Sequence, residues 1–150
     1  MTLDTEVSSL KQVPLFREVE PSRLKLLAFT SERVHFESGQ HFFSQGDEAD
    51  AAYLILEGEA AVSLDSPQGV VQLALLGADA LVGEMGILAD QPRSATVTAQ
   101  TAVTALRIDR GVFLELLAQF PQISIAVMRE LALRLEQTNR QLAQHRGSDR

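Results

Sequence analysis

The chain contains no cysteine. Disulfides, thiolate metal sites, iron–sulfur clusters and a cysteine nucleophile are therefore excluded. It has no excess of basic charge: 13 Lys and Arg stand against 20 Asp and Glu, a formal net charge of -7. A nucleic-acid surface needs clustered Lys and Arg, so this balance argues against one while leaving room for a single local basic pocket. No apolar run approaches the roughly 20 residues of a membrane span. The opening "MTLDTEVSSLKQVP" has no basic segment followed by an apolar stretch, so no signal peptide is expected. Internal repeats and low-complexity segments are also lacking. The chain reads as soluble and cytoplasmic, and its 150 residues suit one domain able to bury a core without staples.

What is present divides into three textures. "SSLKQVPLF" reads as a short helix with a serine cap that ends at Pro14, and "EPSRLKLLAFT" as a helix opened by Pro21 with Leu24, Leu27 and Ala28 on one face. From Glu32 to about Arg107, short apolar runs are broken by glycines. "ERVHFE" alternates, "QHFFSQ" lies between Gly39 and Gly46, and "AAYLILEGEAAVSL" reads as two strands joined at Glu57–Gly58. "SPQG" has the residues of a type I turn, and "VVQLALLG", "SATVTA" and "AVTALRI" complete the strand set. Helical period returns in "DRGVFLELLAQF", with Asp109 as cap and Phe113, Leu116, Leu117 and Phe120 on one face. Pro121 breaks it, and a long amphipathic helix follows, with "RGSDR" as a frayed end. The expected fold is α+β: an antiparallel, jelly-roll-like β-roll flanked by N-terminal helices and two C-terminal helices. Its parts are a helical segment at 1–30, the roll at 31–108 and the closing helices at 109–145, all in one domain.

The stretch with most chemistry is "GEMGILADQPRSATV", Gly83 to Val97. Gly83 to Leu88 reads as a loop turning into a short helix, whose free backbone N–H groups and positive dipole end suit an anion. Glycine lets the backbone approach a ligand closely. Arg93, at the start of the next strand, can fold back over the same spot, and a guanidinium matches phosphate bidentately. Glu84 cannot bind phosphate but can accept hydrogen bonds from a sugar hydroxyl. Together these residues describe a sugar-phosphate site. On spacing alone, a surface Glu84–Arg93 ion pair contributing about 0–1 kcal/mol stands beside that reading.

"VGEMGILADQPRSATV" resembles the phosphate-binding cassette of the cyclic nucleotide-binding domain family, and "FESGQHFFSQGDEADAAYLILEGEAAVSL" is similar to the family's first strands, with Gly39, Gly46–Asp47, Tyr53 and Gly58 at family positions. The resemblance covers about residues 10–145. It implies that Glu84 holds the ribose 2′-hydroxyl and Arg93 pairs with the cyclic phosphate. Ser94 would add a hydroxyl to a phosphate oxygen, and backbone N–H groups near Gly83, Met85 and Ala95 would complete the ligand contacts. Val82 and Gly86 depart from the family pattern, which often has a larger residue and an alanine there. The first is expected to alter packing only, and the second keeps a small residue at the ligand approach.

In the last helix, Met128, Leu131, Leu135, Thr138 and Leu142 form a heptad seam of just over two repeats, with Thr138 its polar member. The seam suits a homodimer; a helix packed only on its own roll is the alternative. "LALRLEQTNRQL" resembles the dimer helix of the catabolite activator protein group. That resemblance implies that Thr138 bonds the base in its own subunit and Asn139 reaches the base held by the partner; an exposed Asn139 is the alternative. The pair favours cAMP over cGMP, while Ser94 can also suit guanine. That group continues into a winged helix-turn-helix, for which "RGSDR" leaves no room. The chain is therefore expected to be a stand-alone sensor or a piece of a longer protein, binding no nucleic acid itself.

His35, His41 and His145 have no partners at metal-ligand spacing and read as strand or surface histidines. Asp47, Glu48 and Asp50 read as a solvated loop in which one acid helps orient the site. Phe42 and Phe43 are expected on opposite sides of a strand, and Tyr53 in the core with its hydroxyl at the rim. The functional expectation is a non-catalytic cyclic-nucleotide sensor, binding cAMP or cGMP and no metal, that signals to an unidentified effector through its C-terminal helices. A same-fold sensor of another ligand, or an interaction module, is the alternative. An enzyme finds no nucleophile–base pair in the sequence.

Overall fold

The computed structural model describes residues 3–148, with side chains as far as Ala143; the expectations for His145 and for the tail "RGSDR" fall outside those side chains. Helix α1, Leu3–Gln12, begins ahead of the serines expected to cap it. Leu3, Val7 and Leu10 recur at helical spacing and pack on the core, which extends the helix toward the N-terminus. Ser9 is buried and donates its hydroxyl to Asp79 Oδ1 at 2.6 Å instead of capping. A 3-10 turn, Pro14–Phe16, leads to α2, Pro21–Thr30, which buries Leu24, Leu27 and Ala28 as its sequence predicts.

Eight antiparallel strands follow: β1 (Glu32–Phe36), β2 (His41–Phe43), β3 (Ala51–Glu57), β4 (Ala60–Ser66), β5 (Gly69–Leu76), β6 (Leu81–Val82), β7 (Thr96–Ala99) and β8 (Val103–Asp109). They form two four-stranded sheets, ordered β1-β8-β3-β6 and β2-β7-β4-β5. Every strand expected from sequence is present. β6 is additional, because two residues are too few to show alternation. β3 is buried along both faces, being flanked by β8 and β6 and covered on both sides. Ala52, Leu54 and Leu56 join a core shared with the helices, while Ala51, Tyr53 and Ile55 join a second core between the sheets. Val82 is buried in that second core, so its departure from the family pattern acts through packing.

Phe42 and Phe43 do not face opposite ways. The pairing of β2 with β7 shifts register between His41 and Phe43, and both rings meet Tyr53, at centroid distances of 5.4 and 6.2 Å. The strand histidines bond to the adjacent strand of their own sheet, His35 to Thr104 and His41 to Thr98.

The short helix α3, Glu84–Ala89, links β6 of one sheet to β7 of the other and buries Ile87 in the core shared with the helices. After β8, Asp109 caps α4 (Arg110–Gln119), its carboxylate accepting from Gly111 N at 3.0 Å. Helix α5, Pro121–Ser148, leaves α4 at 104°, the break falling where proline ends one helix and opens the next. α5 buries Ile123 and Val127 on the domain, and from Leu131 to Ala143 every residue is exposed. No single helix among the described residues is long and apolar enough to cross a membrane.

Candidate functional site

The cassette is built from its glycine outward. Gly83 precedes α3 with φ 86°, a left-handed backbone, and no side chain caps the helix. A Cβ at Gly83 would lie 2.7 Å from Arg93 Nη1 and 2.9 Å from Phe43 Cε2, so glycine is what lets Arg93 lie across the start of α3. Arg93 is 4% exposed. Its Nη1 donates to the Gly83 carbonyl, its Nη2 donates to the Ala51 carbonyl, and its guanidinium lies 3.9 Å above the Phe43 ring. Burial lowers its pKa while Asp50 opposes the shift, and an arginine in this setting keeps its charge. Arg93 Nε is the one buried side-chain nitrogen or oxygen without a hydrogen-bond partner among the described residues.

Glu84 does not pair with Arg93. Its side chain is 12% exposed and faces α5, with Oε1 4.0 Å from Arg134 Nη2. The surface ion pair that spacing alone allowed is thus absent: both residues are largely buried and point to different partners. The structure brings Gly83, Glu84 and Arg93 together at one end of α3. Met85 turns toward α5, lining a small cavity with Leu15, Leu88, Val127 and Leu131. Ser94 is exposed and Ala95 half-buried in the turn into β7. A Cβ at Gly86 would meet Ala49 Cβ at 2.9 Å and lie 3.6 Å from Arg93 Nη1, so its smallness serves the packing of α3 beside Arg93.

Thr138 and Asn139 are both exposed, and the Thr138 hydroxyl donates to the Arg134 carbonyl at 2.9 Å. Thr138 sits one turn beyond Arg134, on the face of α5 that meets the cassette. Leu131 shares that face. An outer stripe of α5, Ile125, Met128, Ala132, Leu135, Asn139 and Leu142, is also exposed and spaced by three and four residues. The seam expected from sequence, Met128, Leu131, Leu135, Thr138 and Leu142, is exposed throughout and shares Met128, Leu135 and Leu142 with that stripe, Leu131 and Thr138 lying nearer the cassette.

Three partners of the site were not singled out from sequence. Phe43 supplies the ring under Arg93, the Ala51 carbonyl holds its Nη2, and Arg134 approaches Glu84. Only Arg134 had a readable signal, one helical turn before Thr138. Among the three acids of the loop, Asp50 faces the site, with Oδ1 3.7 Å from Arg93 Nη2, whereas the Asp47 carboxylate accepts from Ser44 N at 2.9 Å.

Burial pushes the Glu84 carboxyl above the usual carboxylate range, opposed by its own backbone N–H and by Arg134. A carboxyl whose folded pKa is raised stabilises the fold most below its unfolded pKa, and that contribution is lost as pH rises through the folded value. The ionised group therefore costs the ligand-free domain stability at neutral pH. Glu84→Gln is expected to raise the melting temperature of the ligand-free domain at pH 7, with the gain shrinking as pH falls through the raised pKa. A variant that melts below the wild type at pH 7 would contradict this account.

A family model described as the cyclic nucleotide-binding domain matches residues 33–120, from β1 to the end of α4, and so includes Glu84 and Arg93. The chain is 33% identical over 135 residues to the CRP-like cAMP-activated global transcriptional regulator of Mycobacterium tuberculosis, covering 89% of this chain and 60% of that protein. The chain thus spans less than two thirds of that relative's length. It superposes on the catabolite activator protein of Thermus thermophilus with a TM-score of 0.77 and 31% identity, over 86% of this chain and 61% of that one. The sensor domain of the transcriptional regulator DNR from Pseudomonas aeruginosa has the same fold, with a TM-score of 0.82 at 24% identity over 91% of this chain and 92% of that one. This chain belongs to the cyclic nucleotide-binding domain family.

Proposed function

We propose that this domain is a non-catalytic sensor that binds cAMP in preference to cGMP and signals through its C-terminal helices. The observation that carries the proposal is the buried Arg93, oriented by two backbone carbonyls and the Phe43 ring, with Nε unbonded, beside a Glu84 that it does not neutralise. A buried cation and a separate buried carboxylate at one helix end are costly unless a ligand uses both. Arg93 and the Ser94 hydroxyl take the cyclic phosphate, with backbone N–H groups around Gly83, Met85 and Ala95. Glu84 takes the ribose 2′-hydroxyl, and Thr138 takes the base. The cAMP-activated Mycobacterium tuberculosis relative supports the choice of nucleotide.

Signal output is a shift in the population of α5 positions. α5 meets α3 through Arg134 at Glu84 and through Val127 and Leu131 at Met85, so a ligand that engages Glu84 changes what α5 can touch. Its leverage is limited to its difference in affinity for the two positions. A homodimer forms along the outer stripe of α5, in which Asn139 faces the partner while Thr138 serves its own site. A chain that sediments as a monomer with and without cAMP would remove this seam from the proposal.

Thermal melting with cAMP, cGMP and AMP tests the ligand. A cyclic nucleotide at 100 times its dissociation constant should add about 2.7 kcal/mol of stability, with AMP giving less. No shift with either cyclic nucleotide would return the domain to a sensor of another ligand or an interaction module.

A further inference from the structure

Asp50 stands between two arginines. Its Oδ1 lies 3.7 Å from Arg93 Nη2, and its Oδ2 lies 3.3 Å from Arg107 Nη2. Arg107 has a second acid beside it: its Nη1 lies 3.8 Å from Asp109, the cap of α4. Asp50 itself is 62% exposed and held at its backbone, where its carbonyl accepts from Arg110 N at 2.9 Å. Its carboxylate can therefore swing between the two cations at little cost.

Arg93 does not need Asp50 for orientation. The Gly83 and Ala51 carbonyls and the Phe43 ring already fix the guanidinium. The Asp50 carboxylate is too far from Arg93 for a hydrogen bond, yet close enough to place negative charge where an incoming anion must sit. Its main effect at the site is competition.

We propose that Asp50 is a shared counter-ion that sets the anion affinity of Arg93, and that Arg107 decides how much of that charge Arg93 feels. The inference rests on Arg93 as the phosphate site. An arriving phosphate repels Asp50 toward Arg107, which receives it. Without Arg107, the carboxylate has only Arg93 to turn to and competes more strongly.

Titration of cAMP into the intact chain by calorimetry tests this with two single variants and their combination. Asp50→Asn is expected to tighten binding about fivefold at low ionic strength, the upper end for an exposed pair, and the gain should shrink with added salt. Arg107→Gln is expected to weaken binding by about threefold, within the same range for an exposed pair. In the Asp50→Asn background, Arg107→Gln should have no further effect, because the charge it redirects is gone. A merely structural Asp50 would give weaker or unchanged binding in Asp50→Asn, and that result overturns the inference. So does an Arg107→Gln loss of equal size in both backgrounds. Wild-type chain that binds neither cAMP nor cGMP overturns the proposed function and this inference with it, whereas wild-type binding unaltered in Asp50→Asn overturns this inference alone.

Discussion

Arg93→Ala is expected to weaken cyclic-nucleotide binding by about 2–5 kcal/mol, the cost of truncating one partner of a buried, hydrogen-bonded charge pair. At 1.4 kcal/mol per factor of ten, that is a loss of roughly 30-fold to several thousand-fold. The size follows from burial: at 4% exposure the guanidinium is shielded from water, and Arg134, which also approaches the start of α3, meets the Glu84 carboxylate and not the Gly83 carbonyl. Arg93→Lys should fall between, since an ammonium keeps the charge but loses the fork that matches a phosphate. The alanine variant also leaves the Gly83 and Ala51 carbonyls without their donors, a cost of about 1–3 kcal/mol for each group left dry. Calorimetric titration should therefore be run well below the variant's melting temperature. Unchanged affinity in a folded Arg93→Ala domain would remove Arg93 from the site.

Gly58→Ala is expected to cost about 3–5 kcal/mol of folding stability, the sum of backbone strain and overpacking against an immovable wall. Gly58 turns β3 into β4 with φ 96°, and a Cβ there would lie 2.3 Å from the Ala102 carbonyl oxygen and 3.0 Å from Val103 Cα. Those atoms are backbone at the start of β8. The two turns are also locked by Gln100 N donating to the Glu59 carbonyl at 2.8 Å and Glu59 N donating to Thr101 Oγ1 at 3.0 Å. Gly39 is the control, because it has φ 93° and nothing within 4 Å of a built Cβ. Gly39→Ala should cost only the left-handed backbone term, about 1–2 kcal/mol. Equal costs in urea unfolding would mean that the contact with Ala102 relaxes freely.

These two glycines show how far a sequence reading reaches. Both carry the family resemblance and both have positive φ, yet only tertiary structure separates the one that faces a backbone wall from the one that faces solvent. The same division runs through the site. Apolar alternation in β1, the continuous apolar run of β3 and the glycine-bounded turns are local signals, so the roll is legible in the sequence. The α3 cassette was readable because its residues are contiguous from Gly83 to Arg93. The start of α1 is not legible locally, because its first apolar residues find their partners only in the assembled core. The direction of Phe43 depends on a register shift between β2 and β7, which no local pattern encodes.

The partners of Arg93 and Glu84 lay beyond the sequence for the same reason. Arg93 reaches the carbonyl of Ala51, and Glu84 faces Arg134, contacts between residues far apart in the chain. Backbone carbonyls carry no side-chain signature, and two opposite charges nine positions apart look like a pair until folding buries each against something else. The sequence by itself determined the order of helices and strands, the cassette and its two charged residues, because these depend on local spacing and turn chemistry. Only the tertiary structure decided that Arg93 and Glu84 do not pair, that Asp50 stands between two arginines, and that Arg134 of α5 meets Glu84. Those outcomes depend on which surfaces meet, and a heptad of residues leaves two overlapping faces open until one of them packs.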